Sequence, residues 1–261
     1  MHRNRPVVLS FSGHDPSGGA GIQADIEALI SHHCHPCSVI TALTEQDSGN
    51  VHRLMPLPAE DILAQAQCIF DDMPVAAIKI GLLGHVETAQ VIAEILLQNP
   101  DIPAVLDPVL AAGGGASLSS GGLIRAILEL LPLCTIVTPN SEEARKLLPD
   151  SGSLEQCGID LSLRDCGYIL ITGTHEQTAT VCNRLFRHGR CIESFDWNRL
   201  PESYHGSGCT LAASIAAMLA QGLDPVNAIQ EAQEYTWNSL AAGYRPGKGQ
   251  YVPNRLYWMH E

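Results

Sequence analysis

Residues 7–25 read VVLSFSGHDPSGGAGIQAD, and this stretch decides the class of fold. The apolar run Val7–Phe11 predicts a strand buried on both faces, and a glycine-rich loop, 13–21, joins it to a segment with helical spacing. In an open α/β sheet, such a loop lies outside the carboxyl end of a strand, where ligands bind. The stretch therefore predicts one wall of a binding site as well as the start of an α/β fold.

The same alternation of short apolar runs and helical segments continues along the chain. Further buried strands are predicted at Ser38–Ala42, Ala76–Leu82, Ala104–Leu106, Thr135–Val137 and Tyr168–Ile171. Helical segments lie between them, for example at Val86–Leu97 and Leu123–Leu131. Repeated strand–helix–strand units predict a mostly parallel sheet covered by helices on both faces, a three-layer αβα fold.

The pattern changes in the last third of the chain. Thr180–Phe186 and Arg190–Asp196 predict an antiparallel hairpin at one edge of the sheet. Two helices follow, at about Gly208–Gln221 and Pro225–Gly243. Because no linker or internal repeat divides the sequence, we expect a single domain over residues 1–261.

Composition excludes some classes of partner. The formal net charge is −13, which argues against a nucleic-acid or anionic-membrane surface. It does not exclude a phosphorylated ligand, because a metal ion and backbone N–H groups can bind phosphate. The apolar stretches are too short to span a bilayer. Nine scattered cysteines, an odd number, predict reduced thiols in the cytoplasm.

A second glycine-rich loop, HGSGCT at 205–210, leads into an alanine-rich helix. Glycines at a helix start leave N–H groups at the positive end of the helix dipole, which suits an anion. Cys209 falls in the first turn, where a lowered thiol pKa is expected, and it is placed to take a proton from an attacking hydroxyl. The alternative is a helix cap with a buried, inert cysteine.

A third candidate element, TPNSEE at 138–143, joins a strand to a helix. Asn140 and Glu143 have the spacing of a capping box, which is a structural role. The alternative is that both face the site and hold a hydrated Mg²⁺ ion, which takes few protein ligands. Asp107, at the end of another strand, is placed to help. Both interpretations stay open at the sequence level.

Other patterns compete with these motifs. Cys34 and Cys37 suggest zinc or redox chemistry but lack a second ligand pair. The run GAGIQA at 19–24 fits a dinucleotide-binding pattern, yet it begins too far beyond the strand for that fingerprint, which disfavours a dehydrogenase. His175 either lines a nucleotide pocket or lies on the surface. Three aromatic residues are interpreted as packing residues: Trp197, Trp237 and Trp258.

Together the motifs resemble the bacterial hydroxymethylpyrimidine/phosphomethylpyrimidine kinases of the ribokinase-like superfamily. The resemblance runs essentially end to end and rests on GHDPSGGAGIQAD (13–25), SVITALTEQ (38–46), KIGLLG (79–84), DPV (107–109), TPNSEEA (138–144) and HGSGCT (205–210). It implies a ribokinase-like fold and an ATP-dependent kinase of thiamine biosynthesis. The implied enzyme phosphorylates 4-amino-5-hydroxymethyl-2-methylpyrimidine and then its monophosphate. Such kinases are commonly homodimers, so a homodimer is expected.

The resemblance also implies a role for each motif residue. Asp25 and Gln46 would hydrogen-bond the pyrimidine, and Gly13 and Leu82 would lie against its ring. Cys209 would be the base, with anion-hole N–H groups from Gly206, Ser207 and Gly208. The residues implied to hold ATP are Lys79, Asp107, Asn140, Glu143 and Thr172, with Glu143 and Asp107 as Mg²⁺ ligands.

The sequence departs from this family pattern in two loops. Many relatives carry a lysine where residues 110–115 read LAAGGG, and another where residues 172–175 read TGTH. Without them the expected phosphate path loses positive charge, which bears most on the second phosphorylation, because its acceptor is already anionic. The glycine run would still serve as a lid that excludes water.

Two other functions remain open. A sister kinase acting on pyridoxal or pyridoxine would also phosphorylate a hydroxymethyl group on a flat nitrogen ring. A non-catalytic protein that binds pyrimidine or nucleotide would keep the fold, although a decayed site would be expected to have lost at least one of Cys209, Asn140 and Glu143.

Overall fold

The computed structural model describes residues 5–110 and 121–260. Its strands, in chain order, are β1 Val7–His14, β2 His35–Gln46, β3 Val51–Pro56, β4 Val75–Ile80, β5 Ala104–Leu106, β6 Ile136–Val137, β7 Tyr168–Ile171, β8 Thr180–Arg187 and β9 Arg190–Asn198. Its helices are α1 Gly21–Ser31, α2 Ala59–Asp72, α3 Val86–Gln98, α4 Gly121–Leu130, α5 Ser141–Leu147, α6 Leu154–Ser162, α7 Ser207–Ala220 and α8 Pro225–Ala241. Two 3-10 turns lie at Leu131–Leu133 and Tyr257–His260.

These strands form one sheet in the order β3-β2-β1-β4-β5-β6-β7-β8-β9. The pairs from β2 through β7 are parallel, and β8 and β9 form the predicted antiparallel hairpin at one edge. The opposite edge, β3, is also antiparallel to its neighbour, and the sequence did not predict it. All six of its residues, VHRLMP, are at least partly exposed, and His52 and Arg53 interrupt the apolar run that a buried strand would show.

Burial alternates along β1 between two cores, as the pleat of a strand requires. Leu9 and Phe11 pack in a core with helices α2 to α6, whereas Val8 packs in a core with α1, α7 and α8. Helices therefore cover both faces of the sheet. The predicted three-layer αβα fold with a mostly parallel sheet is confirmed.

Strand order reverses at β1, and this reversal positions the site. The chain runs from β1 to β2 on one side and then returns to β4 on the other. The loops after β1 and β4 consequently diverge, leaving a crevice at the carboxyl ends of the strands, where α/β proteins bind ligands.

The sequence prediction missed one helix, shortened strand β2 and included a lid that the structure does not describe. Helix α6 was not predicted because it is short and contains Gly158, which packs against the ring of Phe186. Strand β2 continues beyond the predicted end at Ala42 because its second half pairs with β3. The predicted lid at 110–115 lies outside the described residues, except for the buried Leu110. Among the described residues, the helices are too short or too polar to cross a bilayer.

Candidate active site

A cavity of about 660 Å³ opens at the carboxyl ends of the parallel strands. The predicted site residues that line it are Gly13, Gln46, Leu82, Asp107, Asn140, Glu143, Thr172, Gly206, Ser207, Gly208 and Cys209. The cavity thus brings together the two glycine-rich loops and the start of α5, although these lie far apart in sequence. Two predicted residues, Asp25 and Lys79, are absent from its lining within the described part of the chain.

The first glycine-rich loop is shaped by Asp15. One carboxylate oxygen accepts the Ser17 N–H and hydroxyl, at 2.8 and 2.7 Å, and the other accepts the Ala20 N–H at 2.8 Å. His205, from the second loop, lies 2.8 Å from the same carboxylate. Burial raises the pKa of Asp15, but the hydrogen bonds from His205 and Ser17 outweigh it and hold the pKa below its usual value. Asp15 is therefore ionised and joins the two glycine-rich loops through its hydrogen bonds.

The second loop leads into α7 with an open N-terminus. Gly206 precedes the helix with φ +86°, a conformation that favours glycine, and a side chain there would overlap the carbonyl oxygen of Gly19. The N–H groups of Ser207, Gly208 and Cys209 lack intrahelical acceptors because they form the first turn. All three residues line the cavity. Two of the three residues predicted for the anion hole, Ser207 and Gly208, therefore belong to the first turn of a helix whose N-terminus lines the cavity.

Arg255 holds the two loops together, and the sequence analysis did not single it out. It is buried, and its guanidinium donates to the Gly19 carbonyl at 2.6 Å, to the Thr210 hydroxyl at 2.8 Å and to the Glu27 carboxylate at 2.9 Å. One planar group thereby links the first loop, the first turn of α7 and helix α1.

The predicted lowering of the Cys209 pKa is wrong. Burial raises the pKa of this thiol to about 11, and the nearby carboxylates of Asp107 and Asp25 add to the effect, whereas the Lys79 ammonium only partly opposes it. The helix N-terminus does not compensate for taking the thiolate out of water. At neutral pH the thiol of the unliganded protein is therefore protonated.

Asp25 and Lys79 form an ion pair behind the cavity wall. Both side chains are fully buried, and Lys79 Nζ lies 2.9 Å from each carboxylate oxygen of Asp25. Ser12, which does line the cavity, donates to Asp25 at 2.6 Å and accepts from Lys79 at 2.8 Å. Burial depresses the pKa of Lys79, but the charges of Asp25, Cys209 and Asp107 raise it overall. The structure thus places Ser12 between this pair and any ligand.

Asn140 and Glu143 form the predicted capping box at the start of α5. The Asn140 side chain accepts the Glu143 N–H, and the Glu143 carboxylate accepts the Asn140 N–H, both at 2.9 Å. Leu110 N–H also approaches Glu143, at 3.4 Å. The structural role and exposure to the cavity are thus compatible, since both residues also line it.

Asp107 and Glu143 are buried carboxyl groups that disfavour each other's charge. Burial raises the pKa of both, and the charge of Asp107 raises that of Glu143 further. Asp107 lies beside the anion hole, because a Cβ atom added to Gly208 would be 3.4 Å from its Oδ2. Two such carboxyl groups suit a Mg²⁺ ion, which takes few protein ligands and would relieve their repulsion. Within the described ranges no group of three or more potential metal-ligating side chains occurs.

Gln46 and Leu82 form another part of the cavity wall. The Leu82 side chain packs against Gly13, where an added Cβ atom would lie 2.7 Å from Leu82 Cδ2. Gln46 contacts His205 at 2.9 Å and Thr44 at 3.1 Å. Of these contacts, sequence reasoning missed the roles of His205 and Thr44, although both lie in quoted motifs.

The residues given less weight divide into three groups. Trp197, Trp237 and His175 line the cavity, and the two indole rings stack with centroids 6.5 Å apart. Trp258 instead packs elsewhere and donates to Ser31. Cys34 and Cys37 are buried, burial raises the pKa of each, and the described chain offers no metal-ligand cluster around them.

Comparison with known proteins identifies the family. The sequence pattern described as phosphomethylpyrimidine kinase matches residues 15–254. The hydroxymethylpyrimidine/phosphomethylpyrimidine kinase of Streptomyces coelicolor is 36% identical over 253 residues, covering 94% of this chain and 92% of the relative. The chain belongs to the phosphomethylpyrimidine kinase family. The resemblance inferred from the motifs is therefore confirmed.

Solved structures place this phosphomethylpyrimidine kinase family member near two kinds of vitamin kinase. An ADP complex of Bacillus subtilis pyridoxal kinase superposes with a TM-score of 0.88 at 25% identity, covering 98% of this chain and all of the other. A phosphomethylpyrimidine kinase from Clostridium difficile gives 0.77 at 28% identity, covering 90% of this chain and all of the other. The ribokinase-like fold is thus shared with kinases of both types.

Proposed function

We propose that the protein is an ATP-dependent phosphotransferase that phosphorylates 4-amino-5-hydroxymethyl-2-methylpyrimidine and then its monophosphate, in thiamine biosynthesis. The observation that carries the proposal is the shape of one cavity. It joins an open helix N-terminus, suited to a transferring phosphoryl group, to a wall formed by Gly13, Leu82 and Gln46, suited to a flat polar ring. The family match and the curated relatives support the same activity.

The acceptor ring lies between Gly13 and Leu82 in this proposal, with Gln46 at its polar edge. Asp25 does not contact the ring directly, because it is fully buried behind Ser12. We assign to Asp25 and Lys79 the role of orienting the Ser12 hydroxyl, which lines the cavity. This changes the direct pyrimidine contact predicted for Asp25 into an indirect one.

Phosphoryl transfer then needs the acceptor oxygen, the γ-phosphorus and the leaving oxygen in line. The substrate hydroxymethyl oxygen attacks the γ-phosphorus of ATP, the bond to the bridging oxygen breaks, and ADP leaves. Cys209 takes the hydroxyl proton, and the N–H groups of Ser207 and Gly208 stabilise the charge on the moving phosphoryl group. Because the Cys209 pKa is about 11, the thiolate is scarce before the substrates bind.

The ATP phosphates extend from the anion hole towards α5, where Asn140 and Thr172 line the cavity. Asp107 and Glu143 would hold Mg²⁺, which neutralises phosphate charge when bound. The arginine and lysine side chains that line the cavity in the described part of the chain are Lys146 and Arg199. Arg199 donates to three carbonyls of the loop after β7, those of Thr174, Glu176 and Thr178. Lys146, in α5, is therefore the cation available to the ATP phosphates in this proposal.

Pyridoxal is the second candidate substrate. The Bacillus subtilis pyridoxal kinase superposes with a higher TM-score than the phosphomethylpyrimidine kinase does, whereas the Streptomyces relative and the family pattern favour the pyrimidine. The cytoplasmic location and the homodimer stay predictions.

The test is a product analysis by mass spectrometry. The purified protein is incubated with ATP, Mg²⁺ and either hydroxymethylpyrimidine or pyridoxal. Mono- and diphosphorylated pyrimidine are expected. Pyrimidine monophosphate alone would limit the enzyme to the first step, phosphorylated pyridoxal alone would move it to the sister activity, and the absence of any product would favour a binding protein.

A further inference from the structure

Gln46 contacts other side chains at both ends of its amide, and those contacts determine its orientation. The structure places Gln46 Nε2 2.9 Å from Nε2 of His205, and the same ring nitrogen lies 2.8 Å from Asp15 Oδ2. It places Gln46 Oε1 3.1 Å from Thr44 Oγ1, which is itself 2.9 Å from the His14 carbonyl oxygen. Hydrogen-bond chemistry decides between the two orientations of the amide.

One orientation produces two conflicts. With its NH₂ group towards His205, Gln46 needs an unprotonated Nε2, but that nitrogen also faces the Asp15 carboxylate, which only accepts. With its carbonyl oxygen towards Thr44, Gln46 competes with His14 for the one hydroxyl proton of Thr44. Each conflict leaves two hydrogen-bond acceptors facing each other without a proton between them.

The opposite orientation removes both conflicts. The Nε2–H of His205 then donates to Asp15 and to the Gln46 carbonyl oxygen, while the Gln46 NH₂ group donates to Thr44, which donates to His14. Oxygen and nitrogen of an amide are nearly equal in size, so the exchange leaves the neighbouring atoms in place. Each donor in the series of hydrogen bonds from Asp15 through His205, Gln46 and Thr44 to the His14 carbonyl then has an acceptor.

At the Asp15 end of this hydrogen-bonded series, the side chains are buried and tightly bonded. Asp15 accepts three hydrogen bonds from its own loop, and its side chain is 4% exposed, against 10% for His205. His205 also fits closely against Gly19, where an added Cβ atom would collide with the ring. The hydrogen bond to Asp15 and the contact with Gly19 therefore hold the imidazole beside Gln46.

We propose that His205, held by Asp15, is a positioning residue that fixes the Gln46 amide so that it presents an N–H donor to the ligand. In this orientation one N–H of the Gln46 amide donates to Thr44. The other N–H has no acceptor among the described residues and is available to a ligand in the cavity that Gln46 lines. The donor matches a hydrogen-bond acceptor of the ligand, and in the proposed substrate we assign that acceptor to the unprotonated ring nitrogen beside the 4-amino group. This inference rests on the proposed function and specifies which edge of the 4-aminopyrimidine ring Gln46 recognises.

The test measures binding and turnover separately. Calorimetric titration compares 4-amino-5-hydroxymethyl-2-methylpyrimidine with its 4-oxo analogue, whose ring nitrogen next to the carbonyl carries a hydrogen. The variants are His205→Leu, which removes the donor, His205→Gln, which can replace it, and Gln46→Glu, which replaces the amide donor by an acceptor. KM for ATP is measured for each variant as a control.

Wild-type protein is expected to favour the 4-amino ligand by about ten- to a hundredfold, and Gln46→Glu to reduce or reverse that preference. His205→Leu should weaken the 4-amino ligand about tenfold with little change in KM for ATP, and His205→Gln should recover most of the loss. An unchanged preference in Gln46→Glu, or equal losses for pyrimidine and ATP in His205→Leu, would overturn the inference. Absence of turnover with these binding differences intact would instead count against the proposed function alone.

Discussion

Lys79 Nζ lies 2.9 Å from both carboxylate oxygens of Asp25, and neither side chain is exposed to solvent. The pair joins β4 to α1 directly beneath the cavity, and Ser12 is the contact between it and the site. A buried pair of this kind couples the stability of the fold to the geometry of the site, since loss of either partner leaves an uncompensated charge.

Asp25→Asn should lower the free energy of unfolding by about 3–5 kcal/mol, because it leaves the Lys79 ammonium buried without its counter-charge. The measurement is urea denaturation at neutral pH. Glu87→Gln, which removes an exposed acid paired with His85, is the matched control and should hardly move the midpoint. Equal midpoints for the two variants would contradict the buried-pair account.

Gly206→Ala should cost at least about a hundredfold in kcat/KM, because the added methyl group would overlap the Gly19 carbonyl and displace the anion hole. Gly18→Ala is the matched control, since Gly18 also has a positive φ, +77°, but has open space around it. Its free energy of unfolding should fall by about 1–2 kcal/mol because of backbone strain, without a comparable loss of activity. If both variants lost activity equally, close approach of the two loops would not be the cause.

The rate should rise with pH if Cys209 is the base. Because burial raises its pKa to about 11, only about one unliganded molecule in 10⁴ carries the thiolate at neutral pH, and kcat/KM should increase by up to about tenfold per pH unit between roughly pH 6 and 9. Cys209→Ala should be much slower and lack this rise. Cys209→Asp, a base that ionises at lower pH, should move the rise downwards. A Cys209→Ala variant with the wild-type profile would exclude the thiol as base.

The unliganded protein should lose stability as pH rises through and beyond the ordinary carboxyl range, in part because of Glu143. Burial and the charge of Asp107 raise its folded-state pKa, so the folded protein retains a proton that the unfolded chain releases. The contribution is complete below the unfolded pKa and is lost above the folded one. Glu143→Gln should therefore show a flatter dependence of melting temperature on pH, from about pH 5 upwards. Parallel curves for variant and wild type would contradict the raised pKa.

The fold could be predicted well from the sequence because most of its strands and helices are encoded by local patterns of apolar residues and glycines. The apolar run at Val7–Phe11 and the glycines after it define a strand, a loop and a helix without reference to distant residues. Strand β3 escaped prediction because none of its residues is buried and His52 and Arg53 interrupt its apolar run, so that pairing with the second half of β2 determines it. Edge strands of this type are specified by tertiary pairing and not by composition.

Among the features of the site, those that are also local structures follow directly from the sequence. The capping box of Asn140 and Glu143 follows from their spacing alone. The raised Cys209 pKa does not, because it depends on burial and on carboxylates from other elements. Arg255 has no motif around it, and only the folded chain brings its guanidinium to Gly19 and Thr210.

The most direct test of the account is a competition in one mixture. Wild-type protein receives limiting ATP with Mg²⁺ and equal concentrations of hydroxymethylpyrimidine and pyridoxal, and the phosphorylated products are quantified by mass at early times. The ratio of products gives the ratio of kcat/KM for the two acceptors. The account predicts an excess of pyrimidine phosphate. An excess of pyridoxal phosphate would contradict it and assign the cavity to the sister activity.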